Sequence, residues 1–260
     1  MSLLLKARDF AKATLPHPKW LVEELLPGDG WSLLVAPTRT GKSLLAMQLS
    51  IALATSGAFL GRHVPKTRVA YIQLDAPPGD WQTQIERLPD EQQEFMTVTR
   101  LQLPLYVLDK TPKTDLMRVR LRDDLKEAGI QFVVWDALEK LTRADLNTKD
   151  GCQQTLDRLA TIFPGTALII HHPRKGREGE AQHDTAAGNH YLLADASGQW
   201  FLSKTGPATG TLKVSTRLTP DLTLKLEREP KTGLWLPAKP SAPVSKPKLD
   251  DDALAKAWGS

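Results

Sequence analysis

The residues with the clearest chemistry stand at 36–43, Ala-Pro-Thr-Arg-Thr-Gly-Lys-Ser. They lie between an apolar run, Trp31-Ser-Leu-Leu-Val35, and a long apolar helix pattern from Leu44, which is the context of a phosphate-binding loop. A strand ends there, consecutive backbone N–H groups turn inward, and a helix starts with its positive dipole end on the anion. Pro37, Thr38, Arg39, Thr40, Gly41, Lys42, Ser43 and Leu44 are the expected cradle for ATP. Lys42 is expected to reach the β- and γ-phosphates, and Ser43 to ligate Mg²⁺. Ala36 takes the place of the first glycine of the pattern, at a strand end that accepts a small side chain. Gly41, set against the phosphates, has no such freedom.

Further candidates follow apolar strands. Asp136 ends Gln131-Phe-Val-Val-Trp135 and suits the second protein ligand of the metal shell, opposite Ser43. Asp75 ends Arg68-Val-Ala-Tyr-Ile-Gln-Leu74, where a carboxylate can orient and deprotonate an attacking water; a turn former before Pro77-Pro78 is the competing reading. His171 and His172 end Ala167-Leu-Ile-Ile170, and His172, closer to the next loop, is the one favoured to report the γ-phosphate. The loop from Pro173 to Gly188 carries Arg174, Lys175 and Arg177, candidate phosphate contacts for a nucleic acid. Glu178, Glu180 and Asp184 cancel their charge, so a solvated loop is an equal reading. Lys213 and Arg217 share one face of an alternating strand and are candidates to reach a neighbouring subunit's nucleotide.

Elements spaced to position these residues alternate along the chain. Residues 1–30 read as an arm in which Trp20, Leu21, Leu25 and Leu26 form a short helical face broken by Pro27-Gly28-Asp29-Gly30. A helix from Leu44 to Ala54, apolar on nearly every side, is closed by Gly57. Asp80 is placed to cap a helix carrying Trp81, Ile85 and Leu88, and Leu101 to Val107 reads as an edge strand because of Pro104. Thr114 to Ala128 has Met117, Leu121 and Leu125 on one stripe and Gly129 as its stop, and Leu156, Leu159, Ala160 and Phe163 mark a helix ended by Pro164. Such alternation predicts an α/β fold with a mostly parallel central sheet and ligands at the strand C-terminal ends. After residue 197 the period changes to two, predicting an antiparallel C-terminal extension through 200–202, 212–218 and 222–226. The segment 237–260, rich in Pro, Lys, Ala and Ser, reads as a flexible tail with one short helix at its end.

The 260 residues suffice for one sizeable core, here assigned to 31–236, with the arm and tail as appendages. Hydrophobic residues at 41% and charged residues at 25% are ordinary for a globular chain, and a net charge of +4 permits an anionic partner without establishing one. Cys152 is the only cysteine, which excludes an intrachain disulfide or a cysteine zinc site and fits a reducing cytoplasm. No run approaches a membrane span, so no membrane partner is expected.

The order of the loop at 36–43, Asp75, Asp136, Leu-Ile-Ile-His-His-Pro-Arg-Lys at 168–175 and Leu212-Lys-Val-Ser-Thr-Arg217 resembles that of RecA-fold ATPases. It is most similar to the plasmid RepA-type hexameric replicative helicases and their phage relatives, over residues 18–236 and including the lead-in Trp20-Leu-Val-Glu-Glu-Leu-Leu-Pro27. The resemblance implies a homo-oligomeric ring, usually of six subunits, with ATP and Mg²⁺ between neighbours. It implies that Arg217 completes the adjacent site and that loops near 137–150 and 173–188 face single-stranded DNA. The chain departs from that family in Ala36, in Asp75 where glutamate is usual, and in Ala187-Gly188-Asn189 where Arg-Gly-Ser is frequent.

The expectation is therefore an ATP-hydrolysing replicative DNA helicase, with a replication partner as a candidate for the tail. Two other readings stay open. A recombinase or strand-annealing ATPase would form open filaments on DNA. A nucleotide-gated adaptor would barely hydrolyse ATP, and the shorter Asp75 suits it.

Overall fold

A computed structural model describes residues 19–86, 96–98, 107–109, 111–172 and 190–238, with isolated positions 6, 8, 90 and 93. The strands of the central sheet are β3 (Trp31–Val35), β6 (Val69–Gln73), β7 (Met96–Val98), β8 (Phe132–Asp136), β9 (Thr166–His171), β10 (Gly198–Lys204), β11 (Thr209–Thr216), β12 (Leu222–Arg228) and β13 (Trp235–Pro237). They form one sheet in the order β13-β12-β11-β10-β3-β9-β8-β6-β7. From β7 to β10 every pairing is parallel, and β11, β12 and β13 continue antiparallel. The mostly parallel sheet with an antiparallel extension is thus present, with one adjustment: β10 runs parallel to β3, so the extension starts only at β11.

Helices cover both faces, as parallel strands buried on two sides require. Leu34, Tyr71, Val134, Ile170 and Trp200 point to one face, where α1 (Lys42–Thr55) supplies Leu45, Leu49 and Leu53 and α2 (Pro78–Glu86) supplies Trp81. Leu33, Val35, Ile72, Trp135 and Ile169 point to the other. There they meet Leu121 and Leu125 of α3 (Pro112–Glu127), Cys152, Leu159 and Ile162 of α4 (Lys149–Ile162), and Leu192 of α5 (His190–Asp195).

Several boundaries differ from expectation for local reasons. The lead-in is no helix: β1 (Trp20–Val22) and β2 (Leu26–Pro27) pair antiparallel around a turn at Glu24, whose φ is +59°. Pro27 cannot continue a helix, and the pair buries Val22, Leu25 and Leu26 while the Leu25 carbonyl accepts from Trp200 Nε1 at 2.8 Å. Helix α1 stops at Ser56 in the left-handed conformation, one residue before the expected glycine, and a small hairpin of β4 (Ala58–Phe59) and β5 (Arg62–His63) follows. Helix α2 opens at Pro78, a residue suited to the first helical position, so Asp80 lies in the first turn and does not cap it. Thr111 caps α3 earlier than the expected start at Thr114. Ala160 of α4 is exposed, and the buried stripe runs through Cys152, Thr155, Leu159 and Ile162. The edge strand expected at 101–107 falls mainly outside the described residues; the edge seen is β7.

Candidate functional site

Every strand end that matters lies at one edge of the sheet. Between β3 and α1 the loop turns through two left-handed residues, Arg39 with φ +59° and Gly41 with φ +100°. This alternation curls backbone N–H groups toward a common centre. Pro37, Thr38 and Arg39 are exposed at its crown, Thr40 is buried and donates to the Pro37 carbonyl at 2.7 Å, and Ser43 and Leu44 are half-buried at the helix start. Lys42 is only 6% exposed, and its ammonium donates to the carbonyls of Ala36 at 2.9 Å and Pro37 at 3.0 Å. Burial lowers its pKa, against the opposing pull of Asp136, Glu139 and Asp75, the three carboxylates that face it.

Asp136 is the buried centre of the site. Its Oδ2 accepts from Tyr71 Oη at 2.8 Å and from Gln73 Nε2 at 3.1 Å, and its carboxylate is hydrogen-bonded to the Ser43 side chain. Burial pushes the Asp136 carboxyl above its ordinary value, while the Ser43 and Tyr71 bonds work to keep it ionised. Burial and the same carboxylate hold the Tyr71 hydroxyl well above its usual range, so it stays a donor. Ser43 and Asp136 are hard oxygen groups side by side at the phosphate loop, which fits a Mg²⁺ ion that keeps waters and takes few protein ligands.

The second layer of polar groups surrounds Asp75. It leaves β6 through a turn in which Gln73 Oε1 accepts the N–H groups of Asp75 at 2.6 Å and Ala76 at 3.2 Å. Its side chain is 40% exposed, with His172 Nε2 3.6 Å from Oδ2 and Lys140 Nζ 4.0 Å from Oδ1. His171 is the last residue of β9 and is buried, whereas His172 follows the strand and faces Asp75. Glu139 lies in a short 3₁₀ turn, Leu138–Lys140, just beyond Asp136. Its Oε1 accepts the His172 N–H at 2.6 Å and approaches His171 Nδ1 to 2.5 Å, in ion-pair rather than hydrogen-bond geometry. Burial alone would raise the Glu139 carboxyl; His171 and the His172 N–H outweigh it and hold it below the ordinary carboxylate value.

Lys42, Ser43, Asp75, Asp136 and His172 therefore converge, and the remaining candidates do not join them. Lys213 is exposed on β11, across from Phe201, which in turn faces Val35. That register sets it level with the phosphate loop but two strands away, about 10 Å at ordinary strand spacing. Arg217 does not belong to the strand as expected, because β11 ends at Thr216. Thr216 pairs with Gly198, and Gly198 with Ser32 near the start of β3, so Arg217 lies at the opposite end of the sheet from its own phosphate loop. Its Nη2 donates to the Ala194 carbonyl at 2.5 Å. Arg174, Lys175 and Arg177 lie outside the described residues, as does the tail beyond Ala238.

Four site residues escaped sequence reasoning. Tyr71 and Gln73 alternate on one side of β6, and Gln73 pairs directly with Asp136; polar tips two apart in an apolar strand were the available signal. Glu139, three residues past a strand-ending aspartate, had none beyond its charge. Arg228, which donates to the Thr40 carbonyl at 3.0 Å, comes from 188 residues away, and no local pattern announces it.

Comparison with known proteins agrees with this geometry. The family model described as AAA domain matches residues 2–178, more than half of the chain. The solved ATPase domain of a phage helicase is similar in structure, with a TM-score of 0.57 over 80% of this chain and 84% of that one. At 11% sequence identity this likeness concerns the fold, a RecA-type ATPase core. No curated protein sequence matches the chain.

Proposed function

This chain belongs to the AAA domain family, and on that premise we propose that it is an ATP-hydrolysing motor that acts on single-stranded DNA as a ring, in the manner of the RepA-type replicative helicases it resembles. The loop at 36–44 cradles the triphosphate, with Lys42 on the β- and γ-phosphates. Ser43 and Asp136 hold Mg²⁺, which when bound neutralises phosphate charge. Asp75 takes a proton from the attacking water at its exposed carboxylate, and the neighbouring His172 registers the γ-phosphate. Water reaches Asp75 readily, whereas Asp136 is sealed by Tyr71 and Gln73, so the two carboxylates divide the work. Arg174, Lys175 and Arg177 contact the DNA backbone, and the tail engages a replication partner.

The observation that carries this reading is the separation of Arg217 from its own nucleotide loop across the length of β3. An arginine at that end cannot serve the site in cis, and a ring or other head-to-tail assembly brings it, with Lys213 on the same strand, to the next subunit's phosphates. ATP turnover with and without single-stranded DNA, combined with the mass of the nucleotide-bound assembly, tests the proposal. Stimulated turnover by a multi-subunit species is expected, and Lys42→Ala should abolish it. Turnover by a monomer, indifferent to DNA, would reject the motor, and turnover surviving Lys42→Ala would reject the site.

A further inference from the structure

The last hairpin of the sheet reaches back over the phosphate loop. Arg228 ends β12 and pairs with Trp235, the first residue of β13. Its guanidinium lies over the Trp235 ring, 4.6 Å from the centroid, and its Nη2 donates to the Thr40 carbonyl at 3.0 Å. Gly41 is next in the chain; a Cβ there would overlap Arg228 Nη2 and come within 3.0 Å of Trp235 Nε1. Glycine is thus required by close approach as well as by its φ of +100°. Gln48 of α1 locks the hairpin in place: its amide donates to the Trp235 carbonyl at 3.0 Å and accepts the Trp235 N–H at 2.9 Å.

This arrangement holds a cation without a counter-ion. Among the described residues no carboxylate lies within 4.0 Å of the Arg228 guanidinium. Arg228 Nε and the Trp235 indole N–H are buried with no hydrogen-bond partner, and Trp235 is 1% exposed. Stacking on indole favours a guanidinium but does not neutralise it, and a partly desolvated charge calls for an opposite one. The nearest anion-binding feature is the loop whose backbone Arg228 touches. Because the contact is through the Thr40 carbonyl, it leaves the N–H groups of the turn free for phosphate.

We propose that Arg228, seated on Trp235, is a positioning residue of the nucleotide site in cis, holding the Thr40–Gly41 turn and supplying positive potential whose counter-ion is the bound triphosphate. The inference rests on the reading of 36–44 as an ATP site. Its test is the equilibrium affinity for ATP·Mg²⁺ of the full chain and of Arg228→Met and Arg228→Lys, at low and high salt. Arg228→Met, which keeps apolar packing on Trp235, should weaken binding about tenfold at low salt, with the gap closing at high salt. Arg228→Lys should stay within about threefold of the parent. Wild-type affinity in Arg228→Met would overturn the inference, and so would an equal, salt-independent loss in both variants, which marks packing alone. Should Arg228→Met not fold, Arg228→Gln makes the same comparison. A parent chain that binds no ATP would overturn the nucleotide site itself, an outcome distinct from the others.

Discussion

Glu139 and Asp75 stand within reach of the same histidine pair, yet their surroundings suit them to different work. Asp75 is open to water and faces the His172 imidazole and the Lys140 ammonium at 3.6 and 4.0 Å. Glu139 is sheltered and tied to the β9 end through His171 and the His172 N–H. Its carboxyl is held below the ordinary value, so it contributes stability that is present above the unfolded-state value and lost as pH falls through the lowered folded one. Glu139→Gln should accordingly flatten the acid limb of melting temperature against pH and leave the neutral-pH end nearly parallel to the parent. An acid limb identical in the two proteins would show that the carboxylate is not the group responsible. Sequence alone identified Asp75 by its place after an apolar strand. Glu139 was invisible there, because its importance comes from β9, whose end lies 33 residues on in the chain.

At the scale of elements, the strands that carry the site were legible because parallel strands buried on both faces leave unbroken apolar runs. Helix starts were less legible, since a cap is a local hydrogen-bond pattern with several equivalent spellings. Thr111 illustrates this: its side chain accepts the Thr114 N–H at 3.2 Å, while Thr114 Oγ1 accepts the Thr111 N–H at 3.0 Å. Thr111→Ala should cost about 1 kcal/mol in denaturant unfolding, and Thr111→Asp should recover most of it. Because α3 packs on the face opposite α1, ATP affinity should be unchanged in both, and a shift in affinity would contradict the division of the core into two faces. The lead-in shows the reverse case. Leu21 and Leu25 have helical spacing, but burial of Val22, Leu25 and Leu26 beneath Trp200 favours a turn between two short strands.

For the whole molecule, the consequence of the sheet register is that a complete catalytic site needs two chains. Lys42 and Arg217 lie at opposite ends of the sheet, so each subunit offers a phosphate loop on one side and an arginine on the other. Arg217→Ala should bind ATP normally and fail in turnover. Mixed with an equal amount of Lys42→Ala, it should recover about a quarter of the parental rate, because a random head-to-tail array builds that share of intact sites. No recovery on mixing would place the arginine's function within its own subunit. Among the described residues no helix is long and apolar enough to cross a membrane. What the sequence determined by itself was the phosphate loop, the strand-ending acids and the α/β alternation, all set by neighbours in the chain through backbone sterics and burial period. The tertiary structure alone decided that Tyr71, Gln73 and Ser43 converge on Asp136, that Arg228 reaches the Thr40 carbonyl, and that Arg217 points away from its own loop. These depend on strand order and register, and contacts between segments far apart in the chain leave no periodicity for a local reading to detect.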